Sequence, residues 1–338
     1  MAKGSRTTAG GATGARHPRT PASGATGVPG TAPRAVVVAD VAGTTYRHLR
    51  LAVVALAVLL LVALATEILA DGGRERFGSI SGYYYSPVRD VLVGSLVATG
   101  VVLLAIRGRR GWEETLLTVA GMLAPVVALV PTPVAADRAD GGCPAGATRC
   151  LPPGAAESVE SSVLALIVVG ALVLAATVVG AVVGAARGWP WRDFAAWGPL
   201  VTASLVWAAA AVSFWLARDA FLAVGHYAAA VAFFACTAAL AYVNGRRVAA
   251  RQGVPLMPAA AYARCYRAIS ALMALTLVAA GAYYLVTWWA DREAWSATVF
   301  TAELVLVVLF TVFWGLQTAE NWRAEAVIEE AGGGAPAA

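Results

Sequence analysis

The chain has 338 residues, of which 59% are hydrophobic and 13% are charged, and its mean hydropathy is +0.69. Soluble proteins are about 45–50% apolar and about 25% charged, so this composition excludes a soluble globular enzyme. Apolar runs of about 18 residues or more recur along the chain, and each is long enough to cross a bilayer. We therefore expect an all-α protein that crosses the membrane several times, and disorder is excluded for most of the chain.

Residues 1–46 are predicted to form a disordered cytoplasmic tail. They consist mainly of Gly, Ala, Thr and Pro with scattered arginines and few large apolar side chains. Such a segment buries too little apolar surface to offset the loss of chain entropy on folding. The transmembrane domain is predicted to span residues 47–323, and residues 324–338 form a short cytoplasmic tail.

Apolar runs predict about eight transmembrane helices in this domain. They are expected at about 50–70, 87–107, 112–131, 160–186, 195–217, 219–243, 265–289 and 295–320. Trp207 and Trp314 fall in the middle of predicted helices, where packing against a neighbouring helix is expected.

Arginine distribution predicts the orientation, because cytoplasmic flanks of transmembrane helices carry an excess of basic residues. With a cytoplasmic N-terminus, thirteen arginines flank the inner ends: Arg47, Arg50, Arg107, Arg109, Arg110, Arg187, Arg192, Arg246, Arg247, Arg251, Arg264, Arg267 and Arg323. Seven lie at the outer ends: Arg74, Arg76, Arg89, Arg138, Arg149, Arg218 and Arg292. We expect both termini in the cytoplasm of a bacterial inner membrane. The net charge of +5 then reports topology, and no nucleic-acid partner is expected.

The predicted outer loop 132–159 contains Cys143 and Cys150. Six residues separate the two cysteines on the oxidising side of the membrane, which favours a small disulfide loop over a pair of free thiols. Cys236 and Cys265 lie in or at the ends of helices and are expected to serve packing.

The most distinctive segment is Ser79-Ile80-Ser81-Gly82-Tyr83-Tyr84-Tyr85-Ser86-Pro87-Val88-Arg89-Asp90. Ser86 and Pro87 predict an N-cap and first residue of the second helix. The three tyrosines anchor the chain at the membrane interface, or they form a platform for a lipid headgroup with Arg89 holding a phosphate. The candidate ligand-binding residues are Ser79, Ser81, Tyr83, Tyr84, Tyr85, Arg89 and Glu67.

This segment carries a resemblance. Ser79-Ile80-Ser81 followed by Pro87-Val88-Arg89 resembles the Ile-Ser…Pro-x-Arg pattern of the DRAM, Sfk-type and GPI-lipid-remodelling membrane families, and also actinobacterial multi-pass membrane proteins. The resemblance covers about a dozen residues. It implies an outward-facing loop near lipid headgroups and a role in lipid handling, although those families usually have fewer than eight helices.

Ionisable residues inside predicted helices are the other candidate site, because a charge in the bilayer is costly and tends to mark function. Glu67, Asp90, His226 and Glu303 are all predicted in the outer third of the membrane. They form one functional cluster, or each is satisfied locally near its helix end. Glu320 approaches the inner face, where we expect it to pair with an arginine.

Asp90, His226, Glu303 and Ser81 are the candidate catalytic residues of a membrane-embedded lipid hydrolase or transferase. Zinc hydrolases of the ceramidase and adiponectin-receptor type resemble the chain in placing Ser, Asp and His in helices. They bind zinc through several histidines, whereas only His226 lies in the membrane here. We expect no metal site and no cofactor, since nucleotide and haem motifs are also missing.

Three functions remain open. The first, which we favour, is a non-catalytic integral membrane protein that binds lipid or cell-envelope intermediates at its outer face. The second is the hydrolase or transferase, and the third is a proton-coupled transporter with Glu67, Asp90 and Glu303 as relay carboxylates. Membrane lipids are the expected partners in each case.

Overall fold

The computed structural model describes residues 34–73, 77–106, 108, 111–135, 143, 145, 149–186, 194–251, 256–290 and 297–333. At residues 34–42, 135, 153, 185–186, 194–196, 288, 297 and 323–333 it defines the backbone alone. Outside the described residues lie most of the predicted N-terminal tail, residues 334–338 and nine of the flanking arginines: Arg74, Arg76, Arg107, Arg109, Arg110, Arg138, Arg187, Arg192 and Arg292.

Within the described residues the chain forms eight α-helices, so the prediction of an all-α bundle is confirmed. The helices are α1 Arg34–Ala70, α2 Arg89–Ala105, α3 Trp112–Leu129, α4 Pro153–Ala186, α5 Phe194–Leu216, α6 Arg218–Val248, α7 Ala259–Trp289 and α8 Ala297–Gly333. Seven of these helices are long and apolar enough to cross a membrane, whereas α2 has 17 residues and falls just below that length.

Most helices extend beyond the predicted apolar runs. Helix α1 begins at Arg34, inside the predicted tail, and α8 continues to Gly333, past the predicted domain end near 323. Apolar runs mark only the part of a helix that lies in hydrocarbon. Alanine, glutamate and arginine favour helix in water as well, and therefore the helices continue past the membrane core.

The start of α2 also differs from the prediction. Ser86 is not its N-cap, because α2 begins at Arg89 and its first flanking residue is Val88. The Ser86 hydroxyl instead accepts from the Val88 N–H at 3.2 Å and donates to the Tyr83 carbonyl at 2.9 Å. Serine thus stabilises a turn before the helix.

Six helices pack in a closed ring. The most extensive contacts run from α1 to α2, α2 to α3, α3 to α6, α6 to α7, α7 to α8 and α8 back to α1. Helices α4 and α5 lie outside this ring, where both contact α3 and each other, and α5 also contacts α6. Trp207 of α5 joins them, because its indole N–H donates to the Ile167 carbonyl at 2.9 Å. Trp314 is 1% exposed within the core of the ring, so the packing prediction for both tryptophans is confirmed.

One end of the ring carries a short 3₁₀ helix, Ser81–Tyr85, which we call the tyrosine turn. Two short antiparallel strands lie at the same end, β1 Val134–Ala135 and β2 Arg149–Cys150. Cys150 forms a disulfide with Cys143, with their Cα atoms 5.6 Å apart. The disulfide holds together the long connection between α3 and α4.

Helices α2 and α3 approach each other through glycine. A Cβ atom on Gly100 would lie 2.7 Å from the Gly121 carbonyl oxygen and 2.7 Å from Cδ of Pro125. Pro125 lacks the N–H that would bond the carbonyl four residues earlier, which is that of Gly121. The Gly121 carbonyl, which does not receive this hydrogen bond, therefore faces Gly100 of the neighbouring helix α2.

Replacing Gly100 with alanine tests this approach. We expect G100A to lower the free energy of unfolding by about 1–3 kcal/mol, because its methyl group meets rigid backbone. The control G94A lies on the same helix with nothing within 4 Å of its Cβ position, so it should be neutral or slightly stabilising. Thermal unfolding of the purified protein in detergent measures both. Equal melting temperatures for the two variants would contradict the close approach.

Candidate functional site

Glu303 holds the start of the tyrosine turn. The backbone N–H of Ile80 donates to Oε2 of Glu303, and the Ser81 N–H lies 3.4 Å from the same oxygen. The Ser81 hydroxyl donates to Oε1 at 2.9 Å. One side chain of α8 thus binds three donors from the segment between α1 and α2.

This arrangement satisfies buried backbone groups. A backbone N–H without a partner is costly away from water, and both Ile80 and Ser81 are buried. Ser79 contributes on the other side of the segment, since its Oγ accepts from the Gly82 N–H at 2.9 Å and lies 3.4 Å from Oγ1 of Thr132. The segment is therefore fastened to both α8 and the end of α3.

The three tyrosines face the protein more than the solvent. Tyr83 is fully buried between the rings of Phe77 and Phe300, with centroids 4.9 and 6.4 Å away. Tyr84 is also buried. Tyr85 is half-buried, and its hydroxyl donates to the Thr132 carbonyl at 3.2 Å. Burial raises the pKa of Tyr85 above its usual range, so the hydroxyl keeps its proton.

Arg89 covers this segment from outside. Its side chain lies on the exposed surface, with the guanidinium carbon 4.3 Å from the centre of the Tyr84 ring. It donates to the Tyr84 hydroxyl at 2.7 Å and to Oγ of Ser158 at 3.3 Å. The tyrosine turn therefore packs against the rest of the protein, and its tyrosine rings do not form an open platform.

His226 of α6 is 2% exposed and bonds the end of α3. Its Nδ1 lies 2.7 Å from the carbonyl oxygen of Val130. A carbonyl only accepts, so Nδ1 carries the hydrogen, and in the neutral ring Nε2 is then an acceptor. Val130 follows the last residue of α3, and its carbonyl has no partner within that helix. His226 thus caps a helix end and keeps one fixed tautomer.

Ser81, His226 and Glu303 line one cavity inside the ring, partly open to the surface and about 60 Å³ in volume. At about 10–15 Å³ per water position, that is room for a few waters or a small chemical group. The remaining walls are almost entirely apolar. The lining residues are Leu60, Ile80, Ser81, Leu92, Leu96, Ala124, Val127, His226, Ala230, Phe233, Phe234, Glu303 and Val307.

The cavity is polar at one end and apolar at the other. Glu303 lies six residues into α8 and His226 eight residues into α6, which places them about 9 and 12 Å from the helix starts. Phe234 lies sixteen residues into α6, or about 24 Å. The cavity therefore runs from a hydrogen-bonding end near the tyrosine turn into the apolar middle of the bundle.

Two of the four predicted intramembrane ionisable residues lie outside this cavity. Asp90 is exposed in the first turn of α2, and Glu67 is half-buried near the end of α1. Neither residue lines the cavity. The structure therefore brings together three of the four candidate catalytic residues, Ser81, His226 and Glu303, and leaves Asp90 outside the cavity.

The hydrogen bonds of the cavity do not form a catalytic triad. Ser81 donates its hydroxyl hydrogen to Glu303, and the Nδ1 hydrogen of His226 goes to a backbone carbonyl. Activation of a serine nucleophile requires the serine hydroxyl to donate to the imidazole. Among the described residues, no group of three or more His, Cys, Asp and Glu side chains is arranged to hold a metal ion.

A second buried carboxylate lies at the opposite end of the ring. Glu320 of α8 is 6% exposed and accepts from Arg251 at 2.6 Å and from the Tyr266 hydroxyl at 2.7 Å. The predicted pairing of Glu320 with an arginine is confirmed, and the partner is Arg251. These bonds join α8, α7 and the end of α6.

The comparisons with known proteins give no relative. The sequence matches no protein family, no curated protein and no solved structure at a significant level.

Parts of this site were beyond sequence reasoning. Carbonyl and N–H partners such as those of Val130 and Ile80 carry no side-chain signal, and Ala230, Phe233 and Phe234 read as ordinary apolar positions of a helix. The usable signal was the rarity of ionisable groups within the apolar runs, which pointed to Glu303 and His226 but equally to Glu67 and Asp90.

Removing the Glu303 carboxylate tests its role. We expect E303A to lower the free energy of unfolding by about 2 kcal/mol, because hydrogen bonds to charged groups contribute about 1.5–3 kcal/mol and the buried donors lose their acceptor. The control E157A removes an exposed glutamate of α4, and should stay within about 0.5 kcal/mol of the parent. Thermal unfolding in detergent compares them. A fully stable E303A would show that the tyrosine turn does not depend on this contact.

Proposed function

We propose that the protein is an integral protein of a bacterial inner membrane that binds a lipid or a lipid-linked envelope intermediate at its outer face, with a small part of the ligand entering the cavity inside the helix ring. The observation that carries this proposal is the cavity itself, with Ser81, His226 and Glu303 at one end and apolar walls at the other. Ligand sites in helix bundles commonly lie between helices and combine apolar walls with few polar groups. A lipid likewise has a polar head at one end and apolar chains at the other.

Two observations support placing the cavity in the outer half of the membrane. The tyrosine turn shares its end of the ring with the Cys143–Cys150 disulfide, and disulfides persist on the oxidising side of a membrane. The opposite end carries Arg246, Arg264 and Arg267, all exposed, as expected of a cytoplasmic face.

Helix α2 completes the proposed topology. Its 17 residues extend about 26 Å, which is at the lower limit for crossing a bilayer. It packs extensively on both α1 and α3, and the tyrosine turn adjoins its outer end. If α2 crosses, eight crossings place both termini in the cytoplasm.

The positions of these residues favour lipid binding over a hydrolase or transferase and over a proton-coupled transporter. A hydrolase or transferase built on Asp90, His226 and Glu303 needs Asp90 in the cavity, but that residue is exposed. A proton relay of Glu67, Asp90 and Glu303 needs neighbouring carboxylates, and Glu303 is the one of the three that lines the cavity. Lipid binding requires only mostly apolar walls and a few polar side chains, and the described residues form such a lining.

Cysteine labelling tests the orientation. In C143S the thiol of Cys150 loses its partner, so a membrane-impermeant maleimide added outside intact cells should label C143S but not the parent. The double variant C143S/C150S controls for Cys236 and Cys265, which are free and half-buried. Labelling of C143S only after the membrane is permeabilised would reverse the proposed topology.

Filling the cavity tests lipid binding. We expect A230F to retain several-fold less lipid than the parent after purification in mild detergent, because its ring occupies the cavity. The matched control V231F changes the adjacent residue, which is 54% exposed, and should retain lipid like the parent. Native mass spectrometry measures the retained lipid. Equal retention by A230F and V231F, with A230F correctly folded, would refute the proposal.

A further inference from the structure

We propose a second site, which binds the head of an anionic phospholipid at the end of the ring opposite the tyrosine turn. Its residues are Arg246 near the end of α6 and Arg264 and Arg267 near the start of α7, which we call the arginine patch. All three residues are exposed. The patch shares no residue with the cavity, so this site goes beyond the proposed function and does not depend on it.

The end of α6 and the start of α7 pack closely at Gly245. A Cβ atom on this glycine would lie 3.1 Å from Cβ of Tyr266 and 3.4 Å from the carbonyl oxygen of Ala263. Cγ of Arg267 lies 3.5 Å from the same position. Because the end of one helix contacts the start of the next after the short connection 249–258, the two helices run antiparallel.

This packing brings the arginines to one side of the helix pair. Each residue of a helix is rotated by about 100° from the one before it, and in two antiparallel helices that face each other this rotation leads to the same side of the pair. The residues just before the contact, Asn244 and Tyr262, are buried inside the ring. The residues just after it, Arg246 and Arg264, are exposed. The patch therefore lies on the outside of the ring, between α6 and α7.

The arginine patch has no acidic counterpart in the described part of the chain. Neighbouring arginines do have one, since Arg247 pairs with Glu113 and Arg251 with Glu320. No carboxylate of a described residue forms an ion pair with any of the three arginines of the patch. Their positive charges are therefore left for a ligand from outside the protein.

Most N–H donors of the patch are also available. Arg267 uses Nε alone, which donates to the Ala263 carbonyl at 3.1 Å. The guanidinium carbon of Arg246 lies 6.0 Å from the centre of the exposed Tyr242 ring, a contact that uses no N–H group. Guanidinium groups bind phosphate through two parallel hydrogen bonds. Basic pockets between transmembrane helices bind the heads of anionic lipids in this way.

Exposed apolar residues continue from the patch along α7. Arg264, Arg267, Ala271, Leu275 and Val278 follow one another at intervals of three or four residues, so they lie on one face of the helix. Leu275 and Val278 are 64% and 69% exposed. The face thus presents guanidinium groups to a phosphate and an apolar surface to acyl chains. A free phosphate ion uses only the first of these, and therefore the site is assigned to a lipid.

Phosphatidylglycerol and phosphatidylcholine with identical acyl chains provide the test, because both carry a phosphate and only phosphatidylglycerol has a net charge. We expect the delipidated full-length protein to bind phosphatidylglycerol several-fold more tightly than phosphatidylcholine, as measured by native mass spectrometry in mild detergent. An excess of inorganic phosphate should not displace phosphatidylglycerol, since the free ion gains nothing from the apolar face.

Single variants assign the preference to the patch. R246Q, R264Q and R267Q should each lower the affinity for phosphatidylglycerol roughly fivefold, which is the effect of one basic residue near an anionic lipid. Binding of phosphatidylcholine should change less. The matched control R218Q removes the same charge from the other end of α6, where Arg218 is exposed and pairs with Glu160. It should bind phosphatidylglycerol like the parent, and melting temperatures verify that each variant is folded.

The outcomes separate this site from the cavity. Equal affinity of the parent for the two lipids, displacement of phosphatidylglycerol by inorganic phosphate, or equal losses in R218Q and the three patch variants would each overturn the proposal. A230F should keep the preference for phosphatidylglycerol, because the patch lies outside the cavity. A preference that is lost in A230F and kept in the patch variants would place this lipid in the cavity instead.

Discussion

The fold depends on pairing the backbone of a non-helical segment that is buried at one end of the helix ring. Helices satisfy their own N–H and C=O groups, but the chain between α1 and α2 turns through a 3₁₀ helix whose first N–H groups need other partners. Glu303 supplies that partner from the distant helix α8, and Thr132 contacts the segment from the end of α3. The same requirement explains His226, which satisfies the last carbonyl of α3. Hydrogen bonds to neighbouring backbone groups thus fix the positions of the polar side chains that line the cavity.

Two carboxylates fix helix α8, one near each end of its apolar span Thr298–Trp322. Glu303 and Glu320 are seventeen residues apart, or about 26 Å along the helix. Between them the helix packs aromatic side chains, including Phe310, Phe313 and Trp314, into the core of the ring. This aromatic core packs the part of the ring toward Glu320, whereas near the tyrosine turn the side chains of Glu303 and His226 turn toward backbone partners. The cavity lies beside these two side chains.

The sequence was informative where the membrane makes a residue costly. Apolar runs gave the eight helices, the cysteine spacing agreed with the disulfide, and the rarity of buried charge pointed to Glu303, His226 and Glu320. The helix ends could not be predicted from the sequence, because α1, α6 and α8 continue through residues that form helix in water as well as in the membrane. It also could not separate Asp90 from Glu303. Both residues lie near helix ends, and only the packing of the helices determines that Asp90 faces solvent while Glu303 faces the inside of the ring.

In a bilayer, discrimination between ligands must come from polar groups. Every lipid presents similar hydrocarbon, and the apolar walls formed by residues such as Leu96 and Phe233 gain little from one chain over another. Specificity is a difference between affinities, and buried polar groups produce large differences because a ligand that cannot pair with them leaves them desolvated and unmatched. Ser81, His226 and Glu303 are buried or half-buried in this way. Under the proposed function, selection of a ligand would therefore depend on the same three side chains that hold the tyrosine turn and the end of α3 in place.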